Sequence, residues 1–392
     1  MMALIVKKFG GTSLATPSLI MHLAKRIASD IKNNNKVVVV VSAMGKTTNE
    51  LVSMAKQITN HPKEREMDML LTAGERISMS LFSMALNALN IKSYSFTGSQ
   101  VGIITTGEHT NAKILSVKGE RLLSALNEGI TPIIAGFQGV SNSKEITTLG
   151  RGGSDTTAVA LSVFLKADLC EIFTDVDGFF TVDPRTNVNA KLIKNISYDE
   201  VLIMAHMGSQ VLHPRSVEIA KRHNIKLFIK PSLNEGDGTM ITNAENIESV
   251  KVRGISSRLN LALVNLKTAD NNIVNLMKKL NRSNVSIELF ATKSTDLISV
   301  VVEQDKVDSL LSCTEDLCTS VNVSNDIAII SFVGTGVSTD VDVLDKILSI
   351  TEKYSNDVFG FFTDKIVLSI VTKQVYVEKI SNEAAKAFSL VS

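Results

Sequence analysis

Two glycines follow the first apolar run of the chain, with a lysine before them and a helical pattern after them. Residues 3–9 are typical of a buried strand, which leads through Lys8 into Gly10 and Gly11. Glycines let a phosphate approach the backbone closely, a helix start presents free N–H groups, and the lysine adds a positive charge. The pattern favours an anion site, although a tight turn without a ligand explains the glycine pair equally well.

A second glycine-rich segment, residues 148–157, also opens a helical pattern and contains Arg151, Ser154 and Asp155. The planar guanidinium of Arg151 suits a carboxylate, while Asp155 could hold Lys8 or help order a metal-bound phosphate. In the alternative interpretation Ser154 or Asp155 caps the helix and Arg151 is solvated. A third segment, residues 173–185, closes a strand pattern; a nucleotide-holding loop and an ordinary surface loop fit it equally well.

Two other motifs are excluded by single residues. Gly45-Lys46-Thr47 resembles the end of a Walker A loop, but Val40 occupies the position where that loop needs its first glycine. Residues 150–155 begin like a dinucleotide fingerprint, but Asp155 replaces its final glycine and no strand leads directly into the motif. Residues 45–47 are therefore not part of a Walker A loop, and residues 150–155 are not a nicotinamide-dinucleotide site.

Short apolar runs alternate with helical patterns before residue 240. The predicted strands are residues 3–9, 36–42, 93–97, 131–136, 169–174 and 226–229. The predicted helices are residues 18–31, 49–59, 70–89, 119–127, 156–165 and 216–222. Apolar strands separated by helices indicate a mostly parallel sheet covered on both faces. Ligands of such sheets bind beyond the carboxyl ends of the strands, where we expect the glycine-rich segments.

The chain changes character near residue 240. All six prolines and 18 of the 22 glycines lie at or before Gly238, and the net charge is +5 up to Met240 and −4 after it. The rear part predicts strands at residues 261–266, 286–291, 297–302, 320–323, 327–333, 358–363 and 365–371, and helices at 272–281, 306–316, 340–354 and 378–387. Two β-α-β-β-α sets suggest paired ferredoxin-like modules, and the positive front part is the expected home of an anionic ligand.

Composition argues against several classes of protein. A net charge of +1 and a pI near 7.7 speak against a nucleic-acid partner. The longest apolar run, residues 37–41, is far shorter than the roughly 20 residues that span a bilayer, so no membrane partner is expected. Residues 1–8 lack a signal-peptide pattern, and three sparse cysteines suit reduced thiols in a cytoplasmic protein. A disulfide between Cys313 and Cys318 is the alternative.

Seven ordered segments resemble the aspartate kinases of the amino-acid-kinase superfamily. They are residues 8–13 (Lys-Phe-Gly-Gly-Thr-Ser), 42–45, 67–78, 96–100, 135–139, 150–157 and 174–178. The likeness covers about residues 3–240. It implies a three-layer α/β/α sandwich with a mostly parallel central sheet in residues 1–240, followed by two ferredoxin-like βαββαβ-type ACT domains at residues 257–325 and 326–392. At this length, a fusion to homoserine dehydrogenase is not expected.

The resemblance implies transfer of the γ-phosphoryl group of ATP to the β-carboxylate of L-aspartate, the first step of lysine, diaminopimelate, threonine and methionine biosynthesis. This carboxylate has an unperturbed pKa of ~3.9 and arrives ionised, so no general base is required. The site must instead offset the repulsion between two anions, with Lys8, Mg²⁺ and backbone N–H groups supporting the phosphoryl group. No protein metal ligand is predicted, since the six histidines form no metal-ligand cluster in sequence.

Site roles carried over residue by residue fall into three groups. The resemblance implies that the ATP phosphates are held by Lys8, Phe9, Gly10 and Gly11, with Asp155 positioning Lys8 as its catalytic partner. The nucleotide would be surrounded by Thr174, Asp175, Phe180 and Arg185. The aspartate pocket would be lined by Ser42, Thr48, Glu75, Arg151 and Ser154. Glu75 would receive the substrate ammonium and Arg151 a substrate carboxylate, although outside its motif Glu75 would more often be a solvated helix residue.

Several positions depart from the family pattern. Gln210 stands where relatives often carry lysine, which puts one cationic contact to the nucleotide in doubt, and His213 is predicted to be structural at a helix start. Residues 268–272 and 338–342 lack the Pro-Gly turns of effector-binding ACT domains. We therefore expect weak inhibition by lysine or threonine through the first ACT domain, and a homodimer or higher oligomer through the ACT domains. A separate regulatory subunit starting near Met240 stays open.

Two rival functions stay open at this level. A related kinase of glutamate, acetylglutamate or a nucleoside monophosphate would share Lys8 and the glycines, but Arg151 and Glu75 within Thr-Ala-Gly-Glu-Arg favour aspartate. A non-catalytic amino-acid sensor belongs to a different class, and the intact set of Lys8, Glu75, Arg151 and Asp155 speaks against it.

Overall fold

The computed structural model describes residues 3–209, 211–234, 236–243, 251–268, 272–282 and 285–392. The chain forms two compact units. The first comprises residues 1–179, 192–205 and 210–246, and the second comprises residues 180–191, 206–209 and 247–392. Two short stretches from before residue 240 therefore belong to the second unit, while the division of the rear part into two ACT domains stays a prediction.

Strands and helices alternate along the first unit. Its strands are β1 (Leu4–Phe9), β2 (Lys36–Val41), β3 (Ser93–Phe96), β4 (Ile103–Thr105), β5 (Ile114–Val117), β6 (Thr131–Ala135), β7 (Gln138–Ser141), β8 (Ile146–Thr148), β9 (Leu169–Thr174), β10 (Asn195–Ser197), β11 (Leu227–Pro231) and β12 (Thr239–Thr242). Its helices are α1 (Pro17–Lys32), α2 (Thr47–Ile58), α3 (Glu64–Ala88), α4 (Gly98–Val101), α5 (Glu120–Asn127), α6 (Gly153–Leu165), α7 (Tyr198–His206) and α8 (Pro214–His223).

Eight of these strands form a sheet in the order β10-β12-β11-β9-β1-β2-β6-β3. All neighbours in it are parallel except β11 and β12. The valines of β2 are buried throughout because both faces of the sheet are covered. The predicted mostly parallel sheet is confirmed.

Neighbouring lysines on β1 show that helices lie on both faces. Side chains alternate along a strand. The ammonium group of Lys7 lies 2.7 Å from Asp30 of α1, whereas that of Lys8 lies 2.7 Å from Asp155 of α6. The α1 side is sealed by apolar packing in which Phe9 stacks on both Phe82 of α3 and Phe173 of β9. These contacts give the three layers that the resemblance implied.

A small four-stranded sheet was not predicted. It has the order β5-β4-β7-β8, and its strands are only three or four residues long, too short for a clear period of apolar residues. Helix boundaries also differ from the predictions: α3 begins at Glu64 rather than at residue 70, and α4 and α7 were missed. The first turns of the longer α3 carry a buried aspartate, Asp68.

The second unit is built on one antiparallel sheet. Its strands are β13 (Gly254–Thr268), β14 (Ile287–Thr292), β15 (Leu297–Glu303), β16 (Cys318–Val333), β17 (Val358–Asp364) and β18 (Val367–Lys373), and its helices are α9 (Ile273–Arg282), α10 (Val307–Thr314), α11 (Val341–Glu352) and α12 (Val377–Ala387). The strand order is β14-β15-β13-β16-β18-β17. The prediction of separate strands at 320–323 and 327–333 is wrong, because both belong to β16. Register shifts between β13 and β16 let these long strands pass from one half of the sheet to the other.

Three smaller predictions about the chain can be compared with the structure. The cysteines are free, so the disulfide between Cys313 and Cys318 is wrong. Asp340 caps α11 by accepting a hydrogen bond from the backbone N–H of Val343 at 3.1 Å, and no residue from 338 to 342 has a positive φ. Residues 269–271, in the other effector-turn segment, lie outside the described residues.

No helix in the described ranges is long and apolar enough to cross a membrane.

Candidate active site

The carboxyl ends of four neighbouring parallel strands lie side by side in the large sheet. Phe9 pairs in register with both Val41 and Phe173, and Val41 pairs with Ala135. The residues that follow these four positions are Gly10, Ser42, Gly136 and Thr174. Four of the segments singled out by sequence, residues 8–13, 42–45, 135–139 and 174–178, therefore share one edge of the sheet, which is where such folds bind ligands.

Lys8 forms an ion pair with Asp155 at this edge. Its Nζ lies 2.7 Å from Asp155 Oδ1, and each side chain is exposed by only 12–13%. A Cβ atom added to Gly10 would lie 3.7 Å from the same Nζ. The structure thus brings Lys8, Gly10 and Asp155 together, with the ammonium group beside the glycine turn.

The two glycines of this turn differ in the space around them. A Cβ atom at Gly11 would lie 2.8 Å from the carbonyl oxygen of Ala43, a distance that real Cβ atoms essentially never show. The Gly11 carbonyl also accepts a hydrogen bond from the backbone N–H of Gly45 at 2.8 Å. At Gly10 the nearest atom to such a Cβ is the Phe173 carbonyl oxygen at 3.5 Å, an ordinary contact. Gly11 is therefore required by packing against the turn after β2, whereas a Cβ atom at Gly10 would make only ordinary van der Waals contacts.

Ser13 is a residue of this turn to which sequence reasoning gave no role. Its side chain is 1% exposed, and its hydroxyl oxygen has no hydrogen-bond partner among the described residues. That oxygen lies 4.0 Å from the Cβ position of Gly10. A buried polar group without a partner costs about 1–3 kcal/mol, so a ligand at the turn would relieve this cost. Its place in the 8–13 motif was the only available signal.

Glu75 supplies a buried carboxyl group at the end of β2. Its side chain is 3% exposed. One oxygen, Oε1, accepts a hydrogen bond from the backbone N–H of Ala43 at 3.1 Å, and the other, Oε2, has no partner among the described residues. Burial raises the pKa of Glu75 to about 7, and the hydrogen bond from Ala43 only partly opposes that rise. Such a group gains most from a cationic ligand that restores its charged form.

Ser42 and Thr48 lie on either side of Ala43, the residue whose backbone N–H binds the Glu75 carboxyl group. The backbone N–H of Ser42 donates to the Phe9 carbonyl at 3.1 Å, and its own carbonyl accepts from the Ser78 hydroxyl of α3 at 2.6 Å. The side chain of Ser42 is half-buried, and Thr48 is half-buried in the first turn of α2. The structure therefore places Ser42 beside the β1 turn and next in sequence to the Glu75 contact at Ala43.

Arg151 and Ser154 lie in and after a glycine turn at the start of α6. Gly150 and Gly152 have φ angles of 74° and 66°, which favour glycine. Arg151 is exposed and forms no ion pair with any residue that the structure describes, so its guanidinium is available to a ligand. A Cβ atom at Gly136 would lie 2.8 Å from the Ser154 hydroxyl. Glycine at position 136 therefore lets Ser154 reach the carboxyl end of β6.

The segment predicted to surround the nucleotide is divided between the two units. Thr174 ends β9, and its carbonyl accepts hydrogen bonds from the backbone N–H and hydroxyl of Ser232 at 2.9 and 3.0 Å. Asp175 is exposed and accepts from the Thr174 hydroxyl at 3.1 Å. Phe180 and Arg185 belong to the second unit, where Arg185 is 84% exposed and pairs with Asp183. Their nucleotide contacts stay predictions.

His213 has the structural role expected from sequence. Its Nδ1 accepts a hydrogen bond from the backbone N–H of Arg215 at 3.3 Å, which caps α8. Burial lowers its pKa. A Cβ atom at Gly152 would lie 2.2 Å from the His213 Cβ, so the histidine packs directly under the Arg151 turn. Gln210, which departs from the family pattern, lies outside the described residues.

Three comparisons with known proteins point the same way. Residues 3–231 match the model of the amino acid kinase family. The chain is 40% identical to an aspartokinase of Bacillus sp. (strain MGA3) and 38% identical to aspartokinase 2 of Bacillus subtilis (strain 168), in each case over 99% of this chain and 98% of the relative. The crystal structure of E. coli aspartokinase III in complex with aspartate and ADP is similar with a TM-score of 0.81 and 26% identity, over 98% of this chain and 99% of that one.

Proposed function

The chain belongs to the amino acid kinase family and, within it, to the aspartokinases, and we propose that it transfers the γ-phosphoryl group of ATP to the β-carboxylate of L-aspartate. The products are 4-phospho-L-aspartate and ADP. A β-carboxylate oxygen forms a bond to the γ-phosphorus while the bond from that phosphorus to the bridging oxygen of ADP breaks. The negative charge passes to ADP, and no proton transfer is needed because the carboxylate arrives ionised.

The observation that carries this proposal is the free oxygen of the buried Glu75 carboxyl group. The group lies at the end of β2, holds one backbone N–H through Oε1 and leaves Oε2 unpartnered among the described residues. An α-ammonium group has three N–H donors and a positive charge, so it satisfies the free oxygen and offsets the desolvation of the carboxylate. The exposed guanidinium of Arg151 is the matching receptor for a substrate carboxylate.

Lys8 and the glycine turn support the phosphate side of the reaction. The Lys8 ammonium stands beside Gly10, whose lack of a side chain lets a phosphate approach the backbone of the turn closely. We assign Asp155 the role of holding Lys8. We assign Phe9 the role of closing the strand below the phosphates. Mg²⁺ would enter as part of the MgATP substrate, where it would supply positive charge to the phosphates. No cluster of three or more possible metal-ligating side chains occurs in the described part of the chain.

The nucleotide and effector contacts are carried over from relatives. E. coli aspartokinase III has been crystallised with aspartate and ADP and, separately, with lysine and aspartate. We assign Thr174, Asp175, Phe180 and Arg185 to the nucleotide. We also propose that lysine or threonine acts weakly through the second unit and that this unit mediates oligomer formation.

Trapping of the product tests the proposal directly. An acyl phosphate reacts with hydroxylamine, so the complete reaction with MgATP and aspartate should yield aspartyl β-hydroxamate in step with ADP release. Mass spectrometry of the fragment ions distinguishes the β-hydroxamate from the α-isomer. ADP formation without any aspartyl hydroxamate, or formation of the α-isomer, would overturn it.

A further inference from the structure

A buried aspartate outside the proposed set of ligand-binding residues lies at the start of α3. The side chain of Asp68 is 0% exposed, which is rare for an aspartate unless it is paired. It accepts hydrogen bonds from the Thr148 hydroxyl at 2.5 Å and from the backbone N–H of Thr110 at 3.0 Å, and its Oδ2 lies 2.6 Å from His109 Nδ1. One carboxylate therefore ties α3 to two separate segments of the chain.

Both of those segments lead to the Arg151 turn. Thr148 ends β8, three residues before Arg151. The Thr148 carbonyl accepts a hydrogen bond from the backbone N–H of Ala112 at 2.9 Å, which joins the two segments. Gly150, in the Arg151 turn, lies against the segment that contains Thr110. A Cβ atom at Gly150 would be 3.1 Å from the Thr110 carbonyl oxygen. The turn is thus built on the residues that Asp68 holds.

A second support comes from α8. The guanidinium of Arg215 donates to the carbonyl of Leu149 at 2.9 Å and to that of Ala112 at 2.8 Å. Arg215 and Asp68 therefore hold the same pair of segments through different atoms. Arg151 itself makes no such contact with a described residue, so the direction of its side chain depends on the backbone that carries it.

Asp68 and Glu75 are seven residues apart in α3. Seven residues at 3.6 per turn bring the two side chains to nearly the same face of a helix. Both are buried on it. Glu75 is the proposed receptor of the substrate ammonium, and Asp68 holds the strand end that leads to the proposed receptor of a substrate carboxylate. A single rigid element thus fixes both ends of the substrate pocket.

We propose that Asp68 is a positioning residue, which sets the Arg151 turn through the Thr148 hydroxyl at a fixed distance from Glu75. This inference rests on the proposed function for its kinetic consequences, but not for its structural ones. Misplacement of a substrate-binding group by about 1 Å can cost about 10²-fold in activity. Loss of the contact should therefore weaken aspartate use while the phosphate site around Lys8 stays intact.

The sharpest test changes Thr148 rather than Asp68. Thr148→Val removes the hydroxyl at nearly constant volume, and Thr148→Ser keeps it. The matched control is Thr147→Val, because Thr147 is also fully buried on β8 but its hydroxyl pairs with that of Thr105 at 2.6 Å. We expect Thr148→Val to raise KM for aspartate by about tenfold or more and to leave KM for ATP unchanged. Thr148→Ser should restore the wild-type KM for aspartate. Thr147→Val should leave KM for aspartate near the wild-type value.

A double-mutant comparison shows whether the effect passes through Arg151. If it does, Thr148→Val should add little to the rise in KM for aspartate caused by Arg151→Lys, because residues that act as a unit are not additive. Full additivity, or equal kinetic effects of Thr148→Val and Thr147→Val, would overturn the proposal. Asp68→Asn, checked for folding by circular dichroism, should follow Thr148→Val.

Trypsin provides a readout that does not require turnover. Arg151 is an exposed cleavage site within the turn, and a loosened turn is cut faster. We expect faster cleavage after Arg151 in Thr148→Val than in Thr147→Val or the wild type, with equal rates at other sites. Equal cleavage in all three proteins would contradict the positioning role. A wild-type enzyme that fails to phosphorylate aspartate would refute the proposed function alone.

Discussion

The Nζ atom of Lys8 lies 2.7 Å from Oδ1 of Asp155, and this ion pair joins the end of β1 to the first turn of α6. Both side chains are largely buried, so the pair is screened less by salt than an exposed one. It fixes the ammonium group beside Gly10 rather than leaving it mobile. A cation held in this way is preorganised, which suits the role proposed for Lys8, the stabilisation of phosphate charge.

Replacement of Lys8 should therefore act mainly on the chemical step. Lys8→Ala is expected to lower kcat by about 10²-fold or more, the scale seen when one preorganised electrostatic donor is lost, with little change in KM for aspartate. Lys25→Ala, at an exposed position on α1, is the control. Steady-state ADP release gives both constants. A fall in kcat of less than about fivefold would remove Lys8 from the catalytic role.

Glu75 and Arg151 should affect aspartate rather than ATP. Glu75→Gln removes the charge that an ammonium group needs, and Arg151→Lys replaces a planar fork with a point charge, which is not conservative at a bidentate site. Each change should raise KM for aspartate and leave KM for ATP nearly unchanged. If both constants rise together, these residues support the fold instead of the substrate.

The raised pKa of Glu75 predicts a pH dependence with a definite sign. Burial raises the pKa of this acid from 4.5 to about 7, so the free enzyme holds a neutral carboxyl below that pH and a carboxylate above it. In the proposed role of Glu75 only the carboxylate binds the substrate ammonium, so kcat/KM for aspartate should rise as pH increases through about 7, and the step should be absent in Glu75→Gln. A pH profile with the same step in both proteins would assign it to another group.

The same shift has a consequence for folding. Between about pH 4.5 and 7 the folded state holds a proton on Glu75 that the unfolded chain has released, so this group lowers the free energy of unfolding as pH rises through that window. Glu75→Gln should therefore lose less stability than the wild type between about pH 5 and about pH 8, a span that crosses the pKa of Glu75 in the folded protein. Urea unfolding of the two unliganded proteins at both pH values measures the difference.

The glycine pair offers a matched comparison. Gly10→Ala has ordinary space for its Cβ, so the protein should fold normally while phosphate approach and activity suffer. Gly11→Ala places a Cβ 2.8 Å from the backbone oxygen of Ala43 and should lower the melting temperature as well. Thermal unfolding with parallel activity assays separates the two effects. Equal melting temperatures for the two variants would show that the turn after β2 can move.

Regulation by amino acids should be weak. The segment 338–342 has no residue with a positive φ and leads into α11 through the Asp340 cap. It therefore lacks the turn by which a Pro-Gly pair brings backbone groups close to an effector. Typical effector coupling is ~1–3 kcal/mol. Inhibition curves with lysine and threonine should show no half-maximal effect at low micromolar concentration. Such potency, or loss of inhibition on mutating 338–342 but not 268–272, would contradict this prediction.

The sequence predicted the parts of the site that depend on local patterns. Buried strand ends such as Val41 and Phe173 follow from apolar runs, and the glycine turns follow from composition. The role of Asp68 could not be predicted, because its partners Thr110 and Thr148 are distant in sequence and each looks like an ordinary threonine. The grouping of residues 180–191 with the second unit likewise depends on long-range contacts, such as the bond from the Thr181 hydroxyl to the Leu390 carbonyl at 2.5 Å.

Acceptor specificity is the most direct test of the central claim. ADP release should be measured with MgATP and, in turn, L-aspartate, L-glutamate, N-acetylglutamate and UMP at equal concentrations. The arrangement of Glu75, Arg151 and Lys8 predicts release that depends on aspartate and stays near the background rate with the other three acceptors. Faster release with any of those three than with aspartate, or no dependence on aspartate at all, would contradict the account.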